Sequence, residues 1–78
     1  MDKDIARIVA TAGMRASKDL GELIPLLAEY LPENKEMRLG IASAIAEIGL
    51  RVLEPAFQAQ PDLRFEFDRR AEKYGRTT

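Results

Sequence analysis

The chain has 78 residues, of which 46% are hydrophobic and 32% charged, with twelve Lys and Arg against thirteen Asp and Glu. This apolar content is too high for a disordered chain, and the length suits a single domain over residues 1–78. The near-neutral charge argues against a constitutive binder of nucleic acid or of an anionic membrane. The absence of Cys and His excludes disulfides, thiolate nucleophiles, histidine bases and the usual zinc ligands.

The size of the chain bears on its stability. A single core in a domain below about 70–80 residues supplies only a few kcal/mol unless disulfides, a metal or a partner reinforces it. Because disulfides are excluded and the usual zinc ligands are absent, we expect a homodimer or docking on a larger protein partner.

No targeting or membrane segment is predicted. The start of the chain is acidic, whereas a secretory signal needs a basic start and an apolar run. The most apolar stretch, residues 39–50, is too short to span a bilayer. We therefore expect a cytoplasmic protein without a membrane partner.

The first third of the chain predicts two short helices. A helix over residues 3–13 would end at Gly13, and residues 14–18 would form a connector or a frayed last turn before a helix over 20–31. Pro25 predicts either a kink in that second helix or a later start. The clearest turn follows at residues 32–34. The apolar positions at helical spacing are Ile5, Ile8, Val9 and Ala12, then Leu20, Leu23, Ile24, Leu27 and Leu31.

The central segment, residues 35–53, predicts a helix that is apolar around most of its circumference. It carries two apolar stripes. One consists of Met37, Ile41, Ile45, Ile48 and Val52, and the other of Leu39, Ala42, Ala46, Leu50 and Leu53. Such a helix must be covered on more than one side, and a second subunit would cover it more easily than three short helices.

Gly49 and Pro55 predict a break or kink between residues 49 and 56, followed by a short turn over 56–60. A last helix opens at Pro61 and Asp62, with Leu63 and Phe67 at helical spacing. An alternating strand over residues 63–67 is the alternative. The expected fold is therefore an all-α bundle of four or five helices.

Residues 22–57 carry a pattern of known type. It comprises Leu23-Ile24-Pro25-Leu26-Leu27, the Pro-Glu-Asn turn, Arg38, and Ala42 followed by Ala46-Glu47-Ile48-Gly49. This pattern resembles a HEAT-type helical repeat. The resemblance implies a protein-binding solenoid fragment or a terminal cap of one.

The sequence favours no catalytic or metal site. Glu47 interrupts the apolar central helix, but Arg51 lies one turn later, which predicts an ordinary ion pair. Neither an EF-hand loop nor a phosphate-binding glycine motif occurs. We expect no enzyme activity, no cofactor and no metal.

The charges alternate mildly along the chain. Residues 1–18 carry four basic and two acidic groups, and residues 19–36 carry one basic and five acidic groups. Opposite patches of this kind could steer antiparallel self-association. In residues 61–78 the two signs are interleaved, which disfavours nucleic-acid binding.

The sequence thus predicts a small, non-catalytic interaction or accessory module that self-associates through its central helix. The candidate interface residues are Leu39, Ile41, Ala42, Ile45, Ala46, Ile48 and Phe65, and the candidate ion pair is Glu47 with Arg51. Phe65 lies off the stripe of its own helix, which predicts either an aromatic anchor for a partner or a side chain tucked under the turn at residues 60–62. The alternatives are a dimeric DNA-binding or regulatory protein, and an accessory subunit that completes a larger enzyme.

Overall fold

A computed structural model describes residues 1–74 and, among their side chains, those of residues 1–68. The described residues form three continuous helices, and none of them forms a β-strand. Helix α1 is Lys3–Tyr30, helix α2 covers residues 35–59, and helix α3 is Asp62–Tyr74. The predicted all-α class is confirmed, whereas the prediction of four or five helices is wrong.

The single helix α1 replaces the two short helices predicted in the first third. The Asp2 side chain caps it by accepting a hydrogen bond from the Ile5 amide at 2.9 Å. The helix is unbroken over residues 14–18, so the connector or frayed turn predicted there is wrong, and it also continues through Pro25. Gly13 does not end the helix but lets α2 approach, because an added Cβ would lie 2.8 Å from Leu53 Cδ2 and 3.2 Å from Val52 Cγ1.

Helix α2 is continuous across the predicted break. The Asn34 side chain caps it by accepting from the Met37 amide, directly after the predicted turn. The helix is α-helical over Lys35–Ile48, π-helical over Gly49–Leu53 and α-helical again over Glu54–Ala59. Pro55 lies in the first turn of the α-helical stretch that follows the π-helical turn, where the hydrogen-bond ladder changes register, so its missing amide does not end the helix. The turn predicted over residues 56–60 is wrong.

The buried core lies at one end of the molecule. There, α3 packs against the start of α1 and the end of α2. The fully buried hydrophobic residues are Ala6, Ala10, Ala56, Leu63 and Phe67. Phe57 and Phe67 meet edge to face with their ring centroids 5.7 Å apart, a favourable geometry for two aromatic rings. The helix carrying Leu63 and Phe67 excludes the strand alternative for residues 63–67.

The molecule is flat and elongated. Its Cα atoms extend over 43 × 26 × 13 Å, and the radius of gyration is 14.3 Å. A globular domain of this length would have a radius of gyration of about 11.5 Å. The shortest dimension is about what the Cα atoms of two packed helices span. Many large hydrophobic side chains therefore remain exposed to solvent, among them Ile8, Tyr30 and Leu39.

Candidate interaction surface

The half of the molecule away from α3 is a two-helix hairpin, which we call the open half. It pairs residues 14–30 of α1 with Lys35–Ile48 of α2. No described residue from Met14 to Pro55 is fully buried. The open half therefore holds helices side by side without enclosing a core of its own.

The structure divides the predicted interface residues of the central helix between two sides of α2. Ile41, Ile45 and Ile48 are half-buried, and the Cδ1 of Ile45 lies 3.9 Å from where a Cβ on Gly21 of α1 would be. Leu39, Ala42 and Ala46 are exposed instead. Ile45 thus lies against α1 of its own chain.

The exposed members define the outer stripe of α2, which consists of Leu39, Ala42, Ala46 and Leu50. The exposed fractions of the two leucines are 67% and 66%. The stripe is narrow, because its two middle positions are alanines. A partner could approach this stripe closely, but the stripe offers few large apolar side chains to bury.

Phe65 is 68% exposed on α3, a different helix from the other predicted interface residues. Its neighbour Arg64 lies over the ring of Phe57 at 5.1 Å and donates a hydrogen bond to Glu54 at 2.9 Å. Phe65 itself belongs neither to the buried core nor to the outer stripe of α2. Its predicted role as an anchor for a partner remains a prediction.

Glu47 and Arg51 form an ion pair one turn apart on α2, with both side chains exposed. An exposed pair at this spacing stabilises a helix by only a few tenths of a kcal/mol. The structure therefore gives this pair the geometry of an ordinary surface interaction.

A second exposed apolar surface, missed by the sequence reasoning, runs along α1. Placed at 100° per residue, its members fall within an arc of about 80° on the side away from buried Ala6 and Gly13. This outer stripe of α1 consists of Ile5, Ile8, Ala12, Ala16, Leu23, Leu26 and Tyr30, all exposed. Among its large side chains, Ile8 and Tyr30 have the largest exposed fractions, at 65% and 69%.

The outer stripe of α1 escaped sequence reasoning because the chain was divided at Gly13. If residues 3–30 are treated as two separate helices, each helix shows one apolar stripe. That stripe contains both the residues that face α2 and those that face solvent. The signal that would have separated them is the unbroken helical periodicity through Met14 and Ser17, which continues the inner face.

Most charged contacts in the described part of the chain lie near the core. Arg7 donates two hydrogen bonds to Glu66, at 3.2 and 3.1 Å, and also pairs with Asp4. The hydrogen bonds and charge of Glu66 raise the pKa of Arg7, so the guanidinium stays charged. These contacts fasten α3 to α1.

The described residues contain no group of three or more acidic side chains placed to hold a metal ion. Among the helices described, none is long and apolar enough to cross a membrane. Comparison of the chain with protein-family models, curated proteins and solved structures found no match.

Proposed function

We propose that this chain is a small, non-catalytic protein-interaction module that self-associates through its open half. The observation that carries the proposal is the lack of any fully buried residue from Met14 to Pro55 in the described structure. A second copy placed on the hairpin would supply the missing cover. The outer stripe of α2 is the surface that the central-helix prediction favours, and the outer stripe of α1 is the other candidate.

The surface area of the chain supports this proposal. The accessible surface is 5685 Å², whereas a globular monomer of 8.7 kDa would expose about 4,700 Å². The excess is comparable to the roughly 800 Å² that each partner buries in a standard interface. One interface of ordinary size would therefore give the chain the exposed area expected for its mass.

Ion pairs within the chain at three of its arginines favour protein contact over nucleic-acid contact. Arg7, Arg51 and Arg64 each pair with a carboxylate of the same chain. Guanidinium groups engaged in this way are less available to neutralise phosphates. The dimeric DNA-binding protein and the accessory enzyme subunit remain the alternatives, and retention on heparin or co-purification of an enzyme would favour them.

Light scattering on the purified chain at two concentrations tests the proposal. We expect a mass of twice 8.7 kDa at the higher concentration and a shift toward the monomer on dilution. A mass of one chain at both concentrations would refute self-association. The test does not depend on which stripe forms the contact.

A further inference from the structure

We infer that the outer stripe of α1 binds the same stripe of a second copy in antiparallel orientation, across a two-fold axis near residues 17 and 18. This inference rests on the proposed self-association and specifies its surface, orientation and register. It departs from the central-helix prediction, because Ile41, Ile45 and Ile48 of α2 are already half-buried within the chain and Ile45 lies against α1.

The outer stripe of α1 has the apolar surface that such a contact needs. Its large side chains are well exposed, at 48% for Ile5, 65% for Ile8, 47% for Leu26 and 69% for Tyr30. The helix has 28 residues and is therefore about 42 Å long at 1.5 Å per residue. The stripe reaches from its first turns to its last and carries five large apolar side chains, whereas the outer stripe of α2 carries two.

The spacing along the stripe is self-complementary. When α1 is laid against a reversed copy of itself about a point near residues 17 and 18, apolar members of the stripe fall opposite one another to within one residue. The matched pairs are Ile5 with Tyr30, Ile8 with Leu26, and Ala12 with Leu23. In the last pair a small residue faces a large one, so the side chains of two antiparallel helices can interdigitate. A two-fold contact requires this kind of self-matching surface.

Charges fix the orientation. Arg15 and Asp19 lie near the centre of the stripe and are exposed. They would meet across the axis twice, each Arg15 with Asp19 of the second copy. Neither forms an ion pair with the residues that the structure describes, although they are one turn apart on α1. In a parallel arrangement Arg15 would instead face Arg15.

The wider charge distribution agrees with this orientation. From Lys3 to Lys18, α1 carries four basic residues and one acidic residue, and from Asp19 to Tyr30 it carries three acidic and none basic. Antiparallel packing places the basic half of each copy against the acidic half of the other. Complementary potentials of this kind favour correct orientation and exclude the reverse one.

Two matched substitutions test which stripe forms the dimer. Ala12→Glu on α1 and Ala46→Glu on α2 introduce the same charge at exposed alanines. We expect Ala12→Glu to raise the dimer Kd at least about tenfold, because it places a charge in the apolar contact. Ala46→Glu should change the Kd less than about threefold. The opposite result would place the contact on the central helix and overturn this inference, while self-association would stand.

A charge exchange tests the orientation. Arg15→Asp and Asp19→Arg should each weaken the dimer about tenfold, since each brings like charges together across the axis. The double variant should restore a Kd within about threefold of the parent chain. Failure of the double variant to recover, with helicity by circular dichroism unchanged, would contradict the Arg15–Asp19 pairing.

Disulfide trapping tests the register, because the chain has no cysteine of its own. Ala16→Cys places two thiols about 5 Å apart along the axis, whereas Ile5→Cys places them about 38 Å apart. We expect oxidation to link the Ala16→Cys chains and to leave the Ile5→Cys chains unlinked. Cross-linking of both variants would indicate parallel packing and refute the inference.

Discussion

The two ends of this molecule use the same kind of helix and reach different degrees of burial. At the core end, α3 covers α1 and α2, and Leu63 and Phe67 become fully or almost fully buried. In the open half the same two helices lie side by side, and Leu20, Ile24 and Ile45 remain half-buried. Two helices bury one stripe each, but a third helix is needed to enclose side chains. The apolar content of the open half thus exceeds what its own fold can cover.

The largest expected effect comes from shortening a buried side chain at the core end. Phe67→Ala should lower the free energy of unfolding by about 3–5 kcal/mol, because it removes a buried ring and leaves a cavity beside Phe57. Urea denaturation at one fixed protein concentration measures the effect. The matched control is Phe65→Ala on the same helix, which should cost no more than about 0.5 kcal/mol because the ring is exposed. Equal losses would mean that Phe65 is part of a buried contact.

The junction between the two ends is tested at Gly13. Gly13→Val should destabilise the chain by about 1–3 kcal/mol, since even an added Cβ would press on Leu53 and Val52. Thermal or urea unfolding gives the measurement. Gly40→Ala is the control: nothing lies within 4 Å of its added Cβ, and replacing glycine within a helix should stabilise the chain by about 1 kcal/mol. A stabilising Gly13→Val would refute the close approach of α1 and α2.

The attachment of α3 to α1 is tested at Arg7. Arg7→Met removes two hydrogen bonds to Glu66 and should lower Tm by about 2–4 °C at low salt. The loss should shrink in about 0.5 M NaCl, where screening already weakens the pair. Arg51→Met, which breaks a pair within one helix, should lower Tm less. If the two variants behave alike, the Arg7–Glu66 contact adds nothing to the docking of α3.

The smallest expected effect is on the exposed face of α2. Glu47→Gln should change the free energy of unfolding by less than about 0.5 kcal/mol, because its ion pair with Arg51 lies in water. A urea titration detects a larger change. Should the variant instead lose most of the dimer, Glu47 would lie inside an interface between copies.

The sequence predicted the helical class, the turn at residues 32–34, and the helix that begins beside Pro61. These features follow from local signals, namely helical periodicity and turn residues. The continuity of α1 and α2 did not follow, because Gly13, Gly49 and Pro55 are local signals for helix ends. The surrounding structure keeps the helices continuous at each of these positions. Gly13 leaves room for Leu53, Gly49 is the first residue of the π-helical turn, and Pro55 lies in the first α-helical turn after it.

The candidate surface was predictable only in part. The sequence showed that a helix over residues 37–53 would be apolar around most of its circumference. This observation led to the expectation of self-association. Which residues remain exposed depends on which stripe α1 covers, and periodicity in one helix contains no information about its neighbour. The outer stripe of α1 became recognisable only when residues 3–30 formed one helix. The resemblance to a HEAT-type repeat stays a prediction.

The π-helical turn at Gly49–Leu53 has a consequence for chain length. A π-helical turn is equivalent to one surplus residue accommodated within an α-helix, because its hydrogen bonds close five residues back instead of four. Removing the exposed Leu50 would let the ladder close in regular α-helical form while Ala56 and Phe57 keep their places. A single-residue deletion elsewhere in α2 would turn every later side chain by about 100°. This short stretch is therefore where the helix can lose a residue without misaligning its far end.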